Sequence, residues 1–201
     1  MEKQSGDWIE LISRETARMS WPARMVGGSQ PLLVNINGEV KTKKLLEEFF
    51  VKNFGLKRLR ERPIKDENFD DWHWQRVECL ADELDKKKRR GNPKNRLTAI
   101  SAKLVNTFLH QLMKYEDFRY LWRSLHLPLD RRVFRKLSQK KCYLDNKASL
   151  SQIISNSPYE IDKDEYHDVQ ESLWCLVERI NQQDVWGRTL TSRIELNILW
   201  I

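Results

Sequence analysis

Two neighbouring stretches decide how this chain is interpreted: "TAISAKLVNTFLHQL" (98–112) and "HLPLDRRVFRKL" (126–137). In the first, apolar residues recur at the spacing of one helical face, which predicts a helix over about 98–115. On a helical wheel Lys103 lies opposite that apolar face. We therefore expect Lys103 to face either solvent or a cleft, and a lysine on a solvated polar stripe is the simpler interpretation.

The second stretch predicts a change from extended chain to helix. The residue before a proline avoids the α region, so residues 126–129 should be extended around Pro128. Asp130 follows and is a good N-cap for a helix through about residue 137. Taken alone, Asp130 is sufficiently explained as a helix cap.

The rest of the chain also has mainly helical patterns. Gly55 is a predicted helix C-cap, and 91–93 ("GNP") is a predicted break. The turn-rich stretch 25–40 is either a loop or a short pair of strands. The other predicted helices lie at about 7–20, 41–54, 70–90, 117–125, 162–183 and 188–201. We therefore predict an all-α fold of about 7–9 helices in a single domain over residues 1–201.

The charge of the chain is concentrated locally. Its 201 residues have a formal net charge of +7, and much of the excess lies in 85–96 and 130–141. Segregated positive charge is typical of proteins that bind a polyanion, most often nucleic acid. A solvated charged face is the alternative, with about equal weight on charge alone.

Several classes of protein are disfavoured by the sequence. The three cysteines are scattered, the four histidines lack close metal-ligand spacing, and neither GxxxxGK[ST] nor GxGxxG occurs. We therefore expect no metal and no cofactor. We see no signal peptide and no apolar run long enough to span a bilayer. The expectation is a soluble, monomeric, intracellular (cytoplasmic) protein that does not bind membranes.

The two opening stretches together resemble the core of the helix-hairpin-helix DNA glycosylases. That family carries Gly-hydrophobic-Gly-x-Lys-x-x-Asn, then a short apolar stretch, an Asp, and a helix with apolar positions behind the Asp. Lys103 matches the family's nucleophilic lysine, Asn106 its following Asn, and Asp130 its catalytic aspartate. Val133 and Phe134 match the apolar positions.

The match covers about 40 residues, placed within 96–138, and resembles the bacterial endonucleases and archaeal oxoguanine glycosylases of this superfamily. Ala99 and Ser101 stand where the family usually has its hairpin glycines. The resemblance implies a helix-hairpin-helix glycosylase-like fold, a damaged DNA duplex as partner, and a nucleoid-associated location. It also implies base removal with AP-lyase activity, in which a lysine amine attacks C1′ and a carboxylate stabilises the oxocarbenium-like state.

Other residues have candidate roles on this interpretation. Trp72, His73 and Trp74 are candidates for a pocket that stacks a flipped base, with one tryptophan expected in the core and the other exposed. The candidates for contacts with DNA phosphates are Lys86, Lys87, Lys88, Arg89, Arg90, Lys94, Arg96, Arg131 and Arg132.

Two alternatives remain open from the sequence. One is a non-catalytic nucleic-acid-binding module on the same scaffold, in which Lys103 only contacts a phosphate. The other is a protein-interaction helical domain whose basic patches are ordinary surface. A glycosylase and a non-catalytic DNA-binding module should both bind DNA in a salt-sensitive way, whereas a protein-interaction domain should not. Covalent trapping on DNA then distinguishes a glycosylase from the non-catalytic module.

Overall fold

The computed structural model describes residues 45–46, 48–87, 94–113, 115–139, 158, 161–184 and 187–200. These residues are mainly helical and include no strand, so the all-α prediction is confirmed over them. The α-helices are α1 (Leu56–Glu61), α2 (Phe69–Lys87), α3 (Lys94–Leu112), α4 (Arg131–Gln139) and α5 (Lys163–Gln182). Shorter helical turns are a π-helical Phe49–Asn53 and the 3₁₀ segments Asp66–Asn68, Glu116–Trp122 and Arg193–Trp200.

The boundaries differ from the sequence predictions in ways that local chemistry explains. Gly55 has φ 77°, a left-handed conformation that ends the preceding helix as predicted. The short α1 that follows was not predicted, because its six residues hold only one turn and a half of periodicity. The predicted helices 7–20, the stretch 25–40 and the break at 91–93 lie outside the described residues.

Two of the predicted helices are 3₁₀ helices in the structure. The piece expected at 117–125 is Glu116–Trp122, and the C-terminal helix expected at 188–201 is Arg193–Trp200. Helix α3 begins at Lys94 rather than near residue 98 and ends at Leu112 rather than 115. Short 3₁₀ segments often serve as connectors, and a period of 3.6 in the sequence does not distinguish them from a single α turn.

Helices α2 and α3 form an antiparallel pair at the centre of the fold. The start of α2 meets the end of α3, since the side chain of His73 bonds that of Asn106, 33 residues along the chain. The buried face of α2 repeats at helical spacing, with Val77, Leu80 and Leu84 each 0% exposed. Fully burying one such side chain contributes roughly 1.5–3 kcal/mol. This packing fixes the axial register of α3, which carries Lys103.

An aromatic cluster packs against the outer side of α3. The ring of Phe50 stacks on that of Phe108 with centroids 4.1 Å apart. Phe54 contacts Phe108 edge to face at 5.0 Å and Trp72 at 5.5 Å. Because Phe50 and Phe54 precede α1, these contacts attach the first described segment to the α2–α3 pair.

Helix α5 begins with a capping box and packs along the central pair. The Asp162 carboxylate accepts from the Glu165 N–H, and the Glu165 carboxylate accepts from the Asp162 N–H. The two bonds satisfy N–H groups that the first turn would leave unpaired. Its inward face buries Tyr166, Val169, Gln170, Leu173, Leu176, Val177 and Ile180.

Candidate active site

Lys103 and Asp130 meet in the folded chain, although 27 residues separate them. The Lys103 Nζ lies 3.3 Å from the Asp130 Oδ2. The Lys103 side chain is 9% exposed and that of Asp130 33% exposed. The pair is therefore partly buried: the carboxylate is open to approach, whereas the amine is nearly covered.

The Asp130 carboxylate is held in one orientation by its position at the start of α4. Its Oδ1 accepts from the backbone N–H of Arg132 at 2.8 Å and of Val133 at 3.0 Å. The predicted N-cap is thus confirmed. Because Oδ1 is occupied by the helix start, Oδ2 is the oxygen that meets Lys103.

The prediction for Lys103 needs one correction. Of the two environments expected from the helical wheel, solvent is wrong, because Lys103 is only 7% exposed. At this point the face of α3 opposite the core meets Asp130, the residue that caps α4. A wheel shows which residues share a face but not which other element covers that face.

A chain of hydrogen bonds runs through the interior beside this pair. His73 Nε2 lies 2.7 Å from Asn106 Oδ1, and Asn106 Nδ2 donates to the Tyr166 hydroxyl at 2.8 Å. The Tyr166 hydroxyl lies 3.1 Å from His126 Nδ1, and His126 Nε2 lies 2.7 Å from Asp70 Oδ1. His73, Asn106, His126 and Tyr166 are all 3% exposed or less, whereas the Asp70 side chain is 54% exposed.

An ionised Asp70 and two neutral histidines fix the direction of every bond in the chain. A carboxylate only accepts, so His126 Nε2–H donates to it, and His126 Nδ1 then accepts from the Tyr166 hydroxyl. The Tyr166 oxygen accepts from the Asn106 amide, whose Oδ1 accepts from His73 Nε2–H. His73 Nδ1 is left unprotonated and has no hydrogen-bond partner among the described residues.

The electrostatics agree with this assignment. Burial lowers the pKa of His126 to about 4, an effect that its hydrogen bond to Asp70 only partly offsets. Burial also holds the pKa of His73 well below the usual range for histidine. It raises the pKa of Tyr166 well above the usual range for tyrosine. The hydrogen bond from His126 lowers the pKa of Asp70 to about 2. Neutral histidines and an ionised Asp70 are thus the expected states at neutral pH.

The extended run that leads to Asp130, and the turn at Ser124 before it, are held by side chains from three other elements. The Gln170 amide on α5 accepts from the Leu127 N–H at 3.0 Å and donates to the Leu127 C=O at 2.8 Å. Arg193 donates to the Ser124 C=O at 2.7 Å, and the Ser124 hydroxyl donates to Asp66 at 2.5 Å. A run without its own helix or sheet needs such partners for its backbone groups.

The three base-pocket candidates lie deeper than the sequence indicated. His73 is 0% exposed and belongs to the hydrogen-bond chain, and Trp74 is 5% exposed. Trp72 is partly buried against Phe54 and Phe69, so the expectation of one exposed tryptophan is wrong. Both indoles are drawn inward because α2 has neighbours on more than one face.

Trp74 lines a cleft of about 290 Å³ between α2, α3 and the start of α5. Glu78 also lines it and accepts a hydrogen bond from the Trp74 indole at 2.9 Å. Asp82 and Asp162 add two further carboxylates to the lining. This acidic cleft is poorly suited to a nucleic-acid backbone, since like charges repel.

The basic candidates are only partly described. Arg131 and Arg132 are exposed on the first turn of α4, beside Asp130. Lys86 is exposed near the end of α2 and pairs with Glu83 at 2.7 Å. The backbones of Lys87, Lys94 and Arg96 lie in α2 and α3, and Lys88, Arg89 and Arg90 lie outside the described residues.

The positions of the family's hairpin glycines lie inside a continuous helix. Ala99 and Ser101 are beyond the first four residues of α3, and Ser101 is fully buried. Their N–H groups are therefore committed to bonds within the helix. They are not available to bind a DNA phosphate in the way that hairpin glycines would.

Sequence reasoning missed the residues that hold the site together. Tyr166, Gln170, His126, Asp70 and Arg193 contact partners 40 or more residues away. One signal was available for two of them, because Tyr166 and Gln170 occur four residues apart among the apolar positions of α5. A polar residue at a core position indicates a buried partner but does not identify it.

Three further findings concern metal sites, membrane-spanning helices and similarity to known proteins. In the part of the chain that the structure describes, no group of three or more His, Cys, Asp or Glu side chains could hold a metal ion. Within the same residues, no helix has the length and apolarity that crossing a membrane requires. Comparison of the chain with protein-family models, curated proteins and solved structures gave no match.

Proposed function

We propose that this chain is a DNA glycosylase with AP-lyase activity, in which Lys103 is the nucleophile and Asp130 the assisting carboxylate. The observation that carries the proposal is the partly buried pairing of these two side chains at 3.3 Å. Lys103 and Asp130 were selected together from the sequence, on different helices. A structural ion pair is the alternative explanation, and it makes no prediction about DNA.

The geometry suits the two roles. A lysine amine must lose a proton before it can attack C1′ of the sugar, and Asp130 Oδ2 is placed to accept it. The carboxylate is also placed to stabilise positive charge that develops on the sugar. Because Asp130 is the more exposed of the two, the sugar would approach from its side.

The surface beside the pair is suited to a DNA backbone. Arg131 and Arg132 are exposed on the turn that follows Asp130, and the chain has a net charge of +7. Arginines next to the reacting groups would hold the phosphates that flank the target nucleotide. DNA affinity is therefore expected to fall steeply with salt concentration.

The proposal is tested by borohydride trapping. The protein is incubated with labelled duplexes that carry oxidised, deaminated or abasic sites, and borohydride then reduces any Schiff base to a stable amine. We expect a covalent protein–DNA adduct with at least one of these duplexes. Absence of an adduct with every duplex, together with salt-sensitive DNA binding, would instead favour a non-catalytic DNA-binding module or a glycosylase that uses Asp130 alone; a base-release assay separates these two.

Asp130→Asn should separate the charge of Asp130 from its structural role. Asparagine is as good an N-cap as aspartate, so α4 should keep its start. Its Nδ2 would then face Lys103 in place of Oδ2, so the free energy of unfolding should fall because the ion pair is lost. The variant loses the negative charge that accepts the proton and stabilises the sugar. We expect the rate of adduct formation to fall on the order of a hundredfold or more, measured under single-turnover conditions. An unchanged rate would remove Asp130 from the mechanism.

A further inference from the structure

The backbone leading to Asp130 is fixed from α5 through a single side chain. The Gln170 amide pairs with both the N–H and the C=O of Leu127, as a neighbouring β-strand would. Gln170 is 1% exposed and Leu127 is 0% exposed. In a buried position these two bonds are directional, and losing either one leaves an unsatisfied backbone group.

Any shift at Leu127 is expected to reach Asp130. Only Pro128 and Leu129 lie between them, and the proline ring fixes φ at about −65°. Leu129 is 6% exposed, so its side chain also holds the run against the core. Three residues span at most roughly 10 Å, which leaves little slack to absorb a displacement.

The same face of α5 is also tied to the helix that carries Lys103. Tyr166 lies one turn before Gln170 and accepts a hydrogen bond from Asn106 on α3. Asn106 is three residues after Lys103 in that helix. Helix α5 is therefore connected indirectly to both residues of the ion pair. Tyr166 bonds Asn106 on the helix of Lys103, and Gln170 bonds Leu127 in the run that leads to Asp130.

We propose that Gln170 is a positioning residue that sets the place of Asp130 against Lys103. The role of Gln170 in catalysis rests on the proposed function. Its effect on the position of Asp130 relative to Lys103 can be measured without DNA. The proposed effect requires no direct contact of Gln170 with Lys103 or Asp130. Gln170 acts through the backbone of Leu127, and its amide also hydrogen-bonds Tyr166, which is bonded to Asn106 on α3.

The chain contains a matched control for this proposal. On the same helix, Asn181 makes the same double bond to a backbone, donating to the Leu190 C=O at 2.8 Å and accepting from its N–H at 2.7 Å. Leu190 precedes the C-terminal 3₁₀ segment, whose Arg193 donates to the Ser124 C=O, so Asn181 is connected to the run before Asp130 only indirectly. Gln170→Met and Asn181→Leu each remove one such amide and keep the side chain near its original size.

The first measurement is the rate at which Lys103 is modified by reductive methylation in the protein alone, followed by mass spectrometry. Lys57, whose side chain is 87% exposed, serves as the internal reference. We expect Gln170→Met to speed modification of Lys103 by about fivefold or more, the equivalent of one lost hydrogen bond. Asn181→Leu should leave it near the wild-type rate. If Gln170→Met fails to fold, Gln170→Asn keeps an amide one methylene shorter and should change the rate in the same direction.

The second measurement uses DNA and separates positioning from general damage. Gln170→Met should slow single-turnover adduct formation while leaving DNA affinity unchanged, whereas Asn181→Leu should alter neither. If Gln170→Met speeds reductive methylation of Lys103 but the wild-type protein forms no adduct with DNA, the coupling is supported and the proposed function is rejected. Unchanged Lys103 modification in a folded Gln170 variant, or an equal increase in Asn181→Leu, would overturn the proposal.

Discussion

Replacement of Lys103 by glutamine is expected to abolish the borohydride-trapped adduct with DNA while the helical fold survives. Glutamine has no amine that can form a Schiff base, so the loss should be complete rather than partial. Its amide can still donate a hydrogen bond to Asp130 Oδ2, which in wild type lies 3.3 Å from Lys103 Nζ. The other oxygen of Asp130 keeps its two bonds to the start of α4.

An exposed lysine provides the control for this substitution. Lys57 pairs with Glu61 on the surface of α1, and Lys57→Gln removes the same charge from the chain. We expect Lys57→Gln to keep the full yield of adduct. If Lys103→Gln also keeps it, with a circular dichroism spectrum and unfolding midpoint close to wild type, Lys103 is a structural partner of Asp130 and not the nucleophile.

Acidification is expected to destabilise the protein through the buried histidines. His126 has a pKa of about 4 in the folded chain, against 6.5 for an unperturbed histidine. The folded state therefore binds fewer protons than the unfolded state between these values, and stability is lost as the pH falls through this interval. The difference corresponds to about 3 kcal/mol for His126 alone.

His73 and Asp70 act in the same direction. The pKa of His73 is also lowered by burial, so its folded form also resists protonation. The lowered pKa of Asp70 stabilises the folded state at pH values above the ordinary pKa of aspartate. That stability is lost as the pH falls towards about 2. Protonation of His126 would also force Nδ1 to become a donor, which breaks the bond that it accepts from Tyr166.

Urea unfolding between about pH 7 and pH 4 measures this effect. The relevant quantity is the change of unfolding free energy with pH, compared between wild type and His126→Gln. The variant will be less stable at neutral pH, but its stability should depend less on pH, because one titrating group has gone. Equal pH dependence in the two proteins would mean that His126 is not held neutral in the folded state.

Local patterns predicted those parts of the fold that depend on neighbours in sequence. The helical end at Gly55 and the N-cap at Asp130 are local features of the chain, and both were predicted. Helices α2 and α5 were predicted within about three residues at each end, because their apolar periodicity runs over five turns or more. The helices predicted at 117–125 and 188–201 are of the 3₁₀ type, which a turn or two of apolar pattern does not distinguish from an α-helix.

Features that depend on distant partners could not be predicted in the same way. The contact of the buried Lys103 with Asp130 requires the residue that caps α4 to meet a polar face of α3. The chain from His73 to Asp70 joins residues 33 to 60 positions apart, and nothing in a single sequence identifies such partners. Lys103 and Asp130 were paired in advance only by resemblance to a family motif, not by any physical property of the two stretches.

Peptide mapping of the trapped adduct tests the central hypothesis most directly. After borohydride reduction the wild-type adduct is digested with protease and nuclease, and mass spectrometry locates the lysine that carries the sugar remnant. We expect the remnant on Lys103. A remnant on any other lysine or on the N-terminal amine, with Lys103 unmodified, would contradict the assignment of Lys103 as the nucleophile.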